Sequence, residues 1–243
     1  MRLGHQEFKN RRGETLDTYY HPSNDMSRLL ILGHGVTGNK DRPLLIDTAN
    51  GLARLGWASL RVSFAGNGES EGKFEEATIT KESEDLQDII AALPEDLKVA
   101  YCGHSMGGAV GVKTALVEDR IKVLISLAGM VQTKEFLERE FGDAEPDKGF
   151  MWGEESCPLS SIFADDMTEI HDLVDEASQV KQPFLLIHGT ADDVVMPSDS
   201  EQSYEAASEP KKIVRVEGAG HSFEETGVDE IVNSIDAWLR EHF

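Results

Sequence analysis

Short apolar runs alternate with amphipathic stretches along most of the chain. Runs of strand type lie near residues 3–9, 15–20, 28–32, 58–63, 98–102, 123–127, 184–188 and 211–216. Several are apolar throughout, as strands buried on both faces should be. Between them apolar residues recur at helical spacing, as in Leu86, Ile89 and Ile90. The pattern predicts an α/β fold with a mostly parallel sheet of about eight strands and helices on both faces.

Two stretches depart from this alternation. A short polar link joins the first two predicted strands, so we expect an antiparallel hairpin at one edge of the sheet. Residues 130–182 contain acidic helical fragments, glycines and prolines but no strong strand. An insertion of this size within a sheet connection indicates a cap or lid. We therefore expect a single domain over residues 1–243, with residues 130–182 as the cap.

Composition limits the partners and the location. The formal net charge of −22 disfavours binding to nucleic acid or to an anionic membrane surface, and it favours a neutral substrate over an anionic one. No apolar stretch is long enough for a membrane span, and the N-terminus lacks a signal-peptide core. Two cysteines, Cys102 and Cys157, do not form a disulfide framework, which favours the cytoplasm. Composition leaves monomer and homo-oligomer open.

The most informative motif is the pentapeptide Gly-His-Ser-Met-Gly centred on Ser105. It follows an apolar strand pattern and precedes a helical one that begins with small residues. This strand–turn–helix context is typical of a nucleophile elbow, in which a serine occupies a strained position on a tight turn. We expect Ser105 to be a nucleophile.

A serine hydroxyl needs a base, and the base needs a carboxylate to orient it. Asp192 and Asp193 follow the strand at 184–188, and His221 follows the last strand, so the order Ser, Asp, His is complete. Carboxyl ends of parallel strands share one edge of a sheet, which should bring these loops together. The spacing from the His-Gly pair at 188–189 favours Asp192 over Asp193.

The glycine-containing loop at residues 33–39 is predicted to form an oxyanion hole, because it follows a strand and can approach the serine closely. The N–H groups of Val36 and Met106 are the natural pair. His34 and Gly35 are candidates for substrate contact, although His34 is expected mainly to shape this loop. The alternative of a phosphate-binding loop is disfavoured, since Lys40 is followed by aspartate rather than by serine or threonine.

The predicted cap contains four candidates for a substrate pocket: Phe150, Met151, Trp152 and Phe163. These residues could equally form the cap's own small core. Four of the cap's acidic residues, Glu154, Glu155, Asp165 and Asp166, have no histidine among them at ligand spacing, so no metal site is expected. We also expect no organic cofactor.

Together these motifs resemble the α/β-hydrolase superfamily over nearly the whole chain. Residues 63–74 (SFAGNGESEGKF) are similar to the small bacterial feruloyl and cinnamoyl esterases, and the same elements occur in serine-aminopeptidase-like and monoglyceride-lipase-like hydrolases. The resemblance implies that Ser105 is the nucleophile, His221 the general base and acid, and Asp192 its orienting carboxylate. Met106 stands where those esterases often carry glutamine, and the cap shows little likeness to theirs.

The activity that this resemblance implies is hydrolysis of a small-molecule carboxylic ester. The same residues could cleave an amide, a thioester or a carbon–carbon bond, and the fold can also serve as a ligand receptor without turnover.

Overall fold

The N-terminal strands form a small sheet of their own. A computed structural model describes residues 6–25, 27–223 and 227–243 of the chain. In it β1 (Phe8–Lys9) pairs antiparallel with β2 (Thr15–Leu16) as a separate two-stranded sheet. The antiparallel hairpin is confirmed, but its predicted place at the edge of the main sheet is wrong. Residues 3–5 of the first predicted strand lie outside the described residues.

The second predicted strand is interrupted at Asp17. Its backbone N–H donates to the Ser70 hydroxyl at 2.8 Å, and its carbonyl accepts the N–H of Ser63 at 2.9 Å. These bonds attach Asp17 to the segment after β5 (Ser59–Val62), so the chain leaves β2 there. It then continues as β3 (Thr18–His21), which pairs antiparallel with β5 at the sheet edge.

Over the described residues the main sheet has seven strands rather than about eight, in the order β3-β5-β4-β6-β7-β8-β9. All neighbouring pairs except β3 and β5 are parallel. The remaining strands are β4 (Arg28–Gly33), β6 (Lys98–His104), β7 (Ile121–Leu127), β8 (Phe184–Gly189) and β9 (Lys211–Val216). The carboxyl ends of the parallel strands therefore lie along one edge of the sheet.

Both faces of the sheet are buried, as the continuous apolar strands predict. In β4, Leu29 and Ile31 enter one core cluster, while Leu30 and Leu32 enter the other. The helices are α1 (Pro43–Arg54), α2 (Ile79–Ala92), α3 (Met106–Ala115), α4 (Thr133–Phe141), α5 (Ser161–Ile170), α6 (Val174–Gln179), α7 (Pro197–Ala206) and α8 (Val228–His242). Helices α2 and α3 cover the first face, and α1 and α8 cover the second. The expected α/β architecture is confirmed.

The segment 130–182 contains helices α4, α5 and α6 between β7 and β8, and a single 3-10 turn at Met151–Gly153. Ser160 caps α5, and its hydroxyl donates to the Glu75 carbonyl at 2.6 Å, which ties the segment to a short turn after β5. At the start of the segment, the N–H of Val131 donates to Asp199 on α7 at 2.8 Å. Within the described ranges, no helix combines the length and apolar character that a membrane crossing requires.

Candidate active site

Ser105 lies on a sharp turn between β6 and α3, as the elbow motif predicts. Its backbone has φ 57° and ψ −122°, a region that residues other than glycine rarely adopt. The turn is tight: a Cβ on Gly103 would lie 2.0 Å from the Gly107 carbonyl oxygen. The sequence therefore fixes the serine at the carboxyl edge of the sheet, at the N-terminus of a helix.

The loop after β4 lies beside the serine. Gly35, Val36 and Ser105 line one pocket. Met106 is the first residue of α3, so its N–H has no partner within the helix and is available at the elbow. The structure thus brings together the residues predicted for an oxyanion hole.

His34 is hydrogen-bonded within this loop and is not among the residues that line the pocket. It is fully buried, and its Nδ1 lies 2.9 Å from the Gly35 carbonyl while its Nε2 accepts the N–H of Phe64 at 3.0 Å. Because the carbonyl can only accept, the proton is on Nδ1. Burial lowers the pKa of His34 to about 4, so the ring is neutral at physiological pH. Its role in shaping the loop fits this geometry better than substrate contact.

Asp192 and His221 meet across two loops. The Nδ1 atom of His221 lies 2.9 Å from Oδ2 of Asp192, whose side chain is fully buried. The other oxygen, Oδ1, accepts the N–H groups of Val194 and Val195 at 2.9 and 3.0 Å. Asp193, the alternative, is exposed. Of the two aspartates, Asp192 is the one that contacts the histidine.

The charge of Asp192 is strongly stabilised. Burial by itself would raise the pKa of this carboxyl, but hydrogen bonds from His188 and His221, the charge of His221 and the N–H of Val194 outweigh it and hold the pKa well below its ordinary value. Asp192 is therefore an anion wherever the protein is folded near neutral pH.

The loops that carry Asp192 and His221 also touch through their backbones. A Cβ on Gly189, at the end of β8, would lie 2.2 Å from the Ala219 carbonyl oxygen. The N–H of Ala191 donates to that same carbonyl at 3.0 Å. These contacts fix the separation between the loop of Asp192 and the loop of His221.

Ser105 and His221 share a pocket of about 560 Å³. Within the described ranges the two side chains line its wall but are not hydrogen-bonded to one another. His104 tilts against His221, with ring centroids 4.7 Å apart. Burial and the neighbouring His221 lower the pKa of His104 to about 3, so His104 is neutral.

Only one of the four aromatic and apolar cap candidates lines this pocket. Trp152 does so, with 46% of its surface exposed. Met151 and Phe163 are each 2% exposed and belong to the core cluster that contains Phe136 and Phe141. Phe150 forms an isolated β-bridge with Pro158 and does not line the pocket. Trp152 therefore fits the interpretation as a pocket residue, whereas Met151 and Phe163 fit the alternative of a buried core.

Trp152 is held in place from two sides. Its Nε1–H donates to Glu140 at 3.0 Å, and its ring meets Phe141 edge to face at a centroid distance of 4.8 Å. Its backbone has φ 49°, a strained value for a bulky residue. Strain of this kind persists only where the surroundings impose it.

Much of the pocket wall consists of residues that the sequence patterns did not indicate. The start of α1 and the loops around it contribute Thr37, Gly38, Arg42, Pro43, Leu44 and Asp47. Two other loops contribute Val194 and Ser222, and the start of α8 contributes Val228. The Arg42 guanidinium donates to the Thr37 carbonyl at 3.0 Å. Proximity in sequence to the loop at 33–39 was the available signal for residues 37–47. Among the described residues, no three His, Cys, Asp or Glu side chains are grouped as metal ligands.

The parallel sheet and the elbow at its carboxyl edge define an α/β hydrolase. A family model described as "Serine aminopeptidase, S33" matches residues 25–146 and 158–225. These stretches make up more than half of the chain, which therefore belongs to this family. The stretch between them, 147–157, contains Trp152.

Solved structures share the fold. Est1E from Butyrivibrio proteoclasticus, with ferulic acid bound, has a TM-score of 0.84 and 23% identity, covering 98% of each chain. Mouse alpha/beta hydrolase domain-containing protein 10 has a TM-score of 0.80 and 18% identity, covering 97% of this chain and 98% of that one.

Relatives found by sequence match a smaller part of the chain. The uncharacterized protein Rv2307c of Mycobacterium tuberculosis is 27% identical over 205 residues, which are 83% of this chain and 66% of that protein. The mitochondrial palmitoyl-protein thioesterase ABHD10 of Bos taurus is 27% identical over 158 residues, or 58% of this chain and 49% of that protein. The chain thus spans about two thirds or less of the length of these relatives.

Proposed function

We propose that the chain is a serine hydrolase that cleaves carboxylic esters through an acyl-enzyme, with Ser105, His221 and Asp192 as its triad. The observation that carries the proposal is the 2.9 Å contact between His221 and Asp192 beside a pocket that contains Ser105 on a strained elbow. Nucleophile, base and orienting carboxylate are the three roles that acyl transfer requires.

In the proposed reaction His221 takes the proton of the Ser105 hydroxyl as the serine oxygen attacks the ester carbonyl. The oxyanion is held by the N–H groups of Val36 and Met106. Collapse of the tetrahedral intermediate breaks the bond to the alcohol, which leaves with the proton from His221. A water molecule then attacks the acyl-enzyme, again giving its proton to His221, and releases the acid and free Ser105.

The residues around the triad suit these steps. Asp192 is a buried anion on the Nδ1 side of His221, so it orients the ring and stabilises the imidazolium that forms. The pocket of about 560 Å³ has the size of small-molecule sites in general.

We infer a small-molecule ester as substrate, a single domain over residues 1–243 and a cap at 130–182 that contributes Trp152 to the pocket. Two unpaired cysteines, Cys102 and Cys157, suit the cytoplasm.

A thioester is the second candidate substrate, because the bovine relative is a palmitoyl-protein thioesterase. A thioester presents the same carbonyl to the serine and differs in its leaving group.

Labelling with a fluorophosphonate probe tests the proposal. The parental chain should be labelled at one residue, and Ser105→Ala should remove labelling and lower kcat by about 10⁴- to 10⁶-fold with its circular dichroism unchanged. Ser203→Ala, which alters a buried serine on α7 outside the pocket, is the matched control and should keep both the labelling and the kcat of the parent. Near-parental turnover by Ser105→Ala would refute the mechanism.

A matched substrate set separates the two candidates. Oxygen esters and thioesters with the same acyl group should both acylate Ser105, and their kcat/KM values rank the classes. A chain that binds esters without labelling or turnover would instead be a ligand receptor.

A further inference from the structure

A second histidine lies behind the proposed triad. His188, at the end of β8, is 2% exposed, and its Nε2 atom is 3.1 Å from Oδ2 of Asp192. The Nδ1 atom of His221 reaches the same oxygen at 2.9 Å from the pocket side. Oδ2 of Asp192 is therefore placed between two imidazole rings, of which only the ring of His221 borders the large pocket.

The hydrogen-bond partners of His188 determine which of its two ring nitrogens carries the proton. Nε2 is hydrogen-bonded to the Val195 carbonyl at 3.0 Å, and that carbonyl, like the carboxylate, can only accept. Nε2 must therefore carry a proton, which both oxygens are close enough to share as a three-centre bond. Nδ1 lies 2.6 Å from the Ser200 hydroxyl. When the ring is neutral, Nδ1 carries no proton and accepts the hydrogen bond from this hydroxyl. A neutral His188 protonated on Nε2 satisfies every one of these contacts.

We propose that His188 is a positioning residue of the triad: its Nε2–H holds the Asp192 carboxylate and the 192–195 turn in the orientation that His221 needs. The inference rests on the proposed function. With the N–H groups of Val194 and Val195 on Oδ1, the carboxylate has donors on both oxygens. A carboxylate held in this way resists rotation about its Cβ–Cγ bond, so its second oxygen stays directed at His221.

The position also allows substitutions that separate packing from hydrogen bonding. A cavity of about 210 Å³ borders His188 together with Gly189, Thr190 and Pro197, so a side chain of different shape has space to adjust. Glutamine can present an amide N–H close to the position of Nε2, whereas methionine fills similar volume without a donor. Leu185, three residues earlier in β8, is fully buried in the core on the opposite face of the sheet and serves as the control for lost stability.

The first experiment compares His188→Met, His188→Gln and Leu185→Val at a temperature at which all three are folded. His188→Met should lower kcat by about 10- to 100-fold, the effect of losing a hydrogen bond to a charged group, with KM within about 3-fold of the parent. His188→Gln should recover most of that loss. Leu185→Val should lower Tm and leave kcat within about 2-fold, because it touches neither loop.

Two results of that comparison would overturn the inference. One is a parental kcat in His188→Met, and the other is a loss in His188→Gln as large as that in His188→Met. Fluorophosphonate labelling of the parental chain separates these failures from failure of the proposed function, since an unlabelled parent refutes the triad itself.

A second experiment needs neither turnover nor a variant. Long-range ¹H–¹⁵N correlation spectra of the parental protein report which nitrogen of each histidine is protonated. For His188 we expect a protonated Nε2 and a bare Nδ1 at neutral pH. A bare Nε2 would place a lone pair against the carboxylate and would refute the inference, whatever the variants do.

Discussion

The side chain of His104 is bonded to the backbone of His221: its Nε2–H donates to the His221 carbonyl oxygen at 3.0 Å. His104 directly precedes Ser105 in the elbow. The loop that carries the proposed base is thereby attached to the turn that carries the proposed nucleophile. One hydrogen bond thus connects the positions of two residues that are far apart in sequence.

Removing this donor should weaken catalysis. We expect His104→Leu to lower kcat/KM by about 10-fold, because the His221 loop loses a bond worth roughly 1 kcal/mol or more. His104→Gln, which keeps an N–H in the same region, should lose less. Steady-state kinetics on one ester checks both variants. Equal losses would indicate that the ring, and not its hydrogen bond, is what supports the loop.

The two neighbouring aspartates should differ sharply. Asp192→Asn should lower kcat by about 10⁴-fold, since a neutral amide can neither fix the tautomer of His221 nor stabilise its imidazolium. Asp193→Asn should remain within a few-fold of the parent, because Asp193 is exposed. Rates on the same ester and thermal melting of each variant provide the measurement. A larger loss in Asp193→Asn would reverse the assignment.

Trp152 and Phe163 should affect different properties. Trp152→Ala opens the pocket wall, so kcat/KM should change unequally for short and bulky esters, by about 1–3 kcal/mol of discrimination per methylene-sized contact. Phe163→Ala leaves a cavity in the segment's core and should destabilise by about 3–5 kcal/mol without changing that preference. Denaturant melts and a series of acyl chain lengths separate the two. A uniform loss across all esters in Trp152→Ala would exclude a role in selectivity.

His34 predicts a specific dependence of stability on pH. Its pKa is about 4 in the folded chain against an ordinary 6.5, so the unfolded chain binds the extra proton first. The contribution of His34 to stability is full above pH 6.5 and is lost as the pH falls towards 4, at about 1.4 kcal/mol per pH unit. Urea melts between pH 4 and 6.5 give the free energy of unfolding at each pH. Its slope against pH should be smaller in His34→Gln than in the parent by about 1.4 kcal/mol per pH unit. Identical slopes would contradict the prediction.

The negative net charge should make the protein prefer a neutral ester to an anionic one. With a charge of −22, the protein repels an anionic ester, and salt screens that repulsion within a Debye length of about 8 Å at 0.15 M. We expect methyl 4-acetoxybenzoate to be a better substrate than 4-acetoxybenzoate, with the ratio falling as salt is added. Among the described residues that line the large pocket, Arg42 is the one lysine or arginine, so Arg42→Gln should increase the ratio. A ratio insensitive to salt would mean that local contacts decide.

The positions of Asp192 and His221 could be predicted from sequence because each follows a strand of a parallel sheet, whose carboxyl ends meet at one edge. Their contact at 2.9 Å is the direct result of that rule. The interruption at Asp17 could not be predicted, since it depends on hydrogen bonds to residues 63 and 70 that the apolar pattern does not encode.

The pocket wall was harder to predict for a related reason. Met151 and Trp152 are adjacent, yet one is buried and the other lines the pocket, because a 3-10 turn with a positive φ at Trp152 directs them apart. Arg42 and Asp47 reach the pocket only because the N-terminal part of α1 borders it. Such orientations are decided by tertiary packing.

The close contact between Gly189 and Ala219 bears on how this chain can diverge. Because the two loops rest against each other's backbone, a substitution that adds bulk to one is tolerated only with a compensating change in the other. The proposed acid and base, Asp192 and His221, should therefore be inherited as a unit. Among the described residues, 147–157 make no such backbone contact at the sheet edge. Under the proposed function, new substrate preferences can therefore arise there by insertion or replacement while the proposed triad is passed on unaltered.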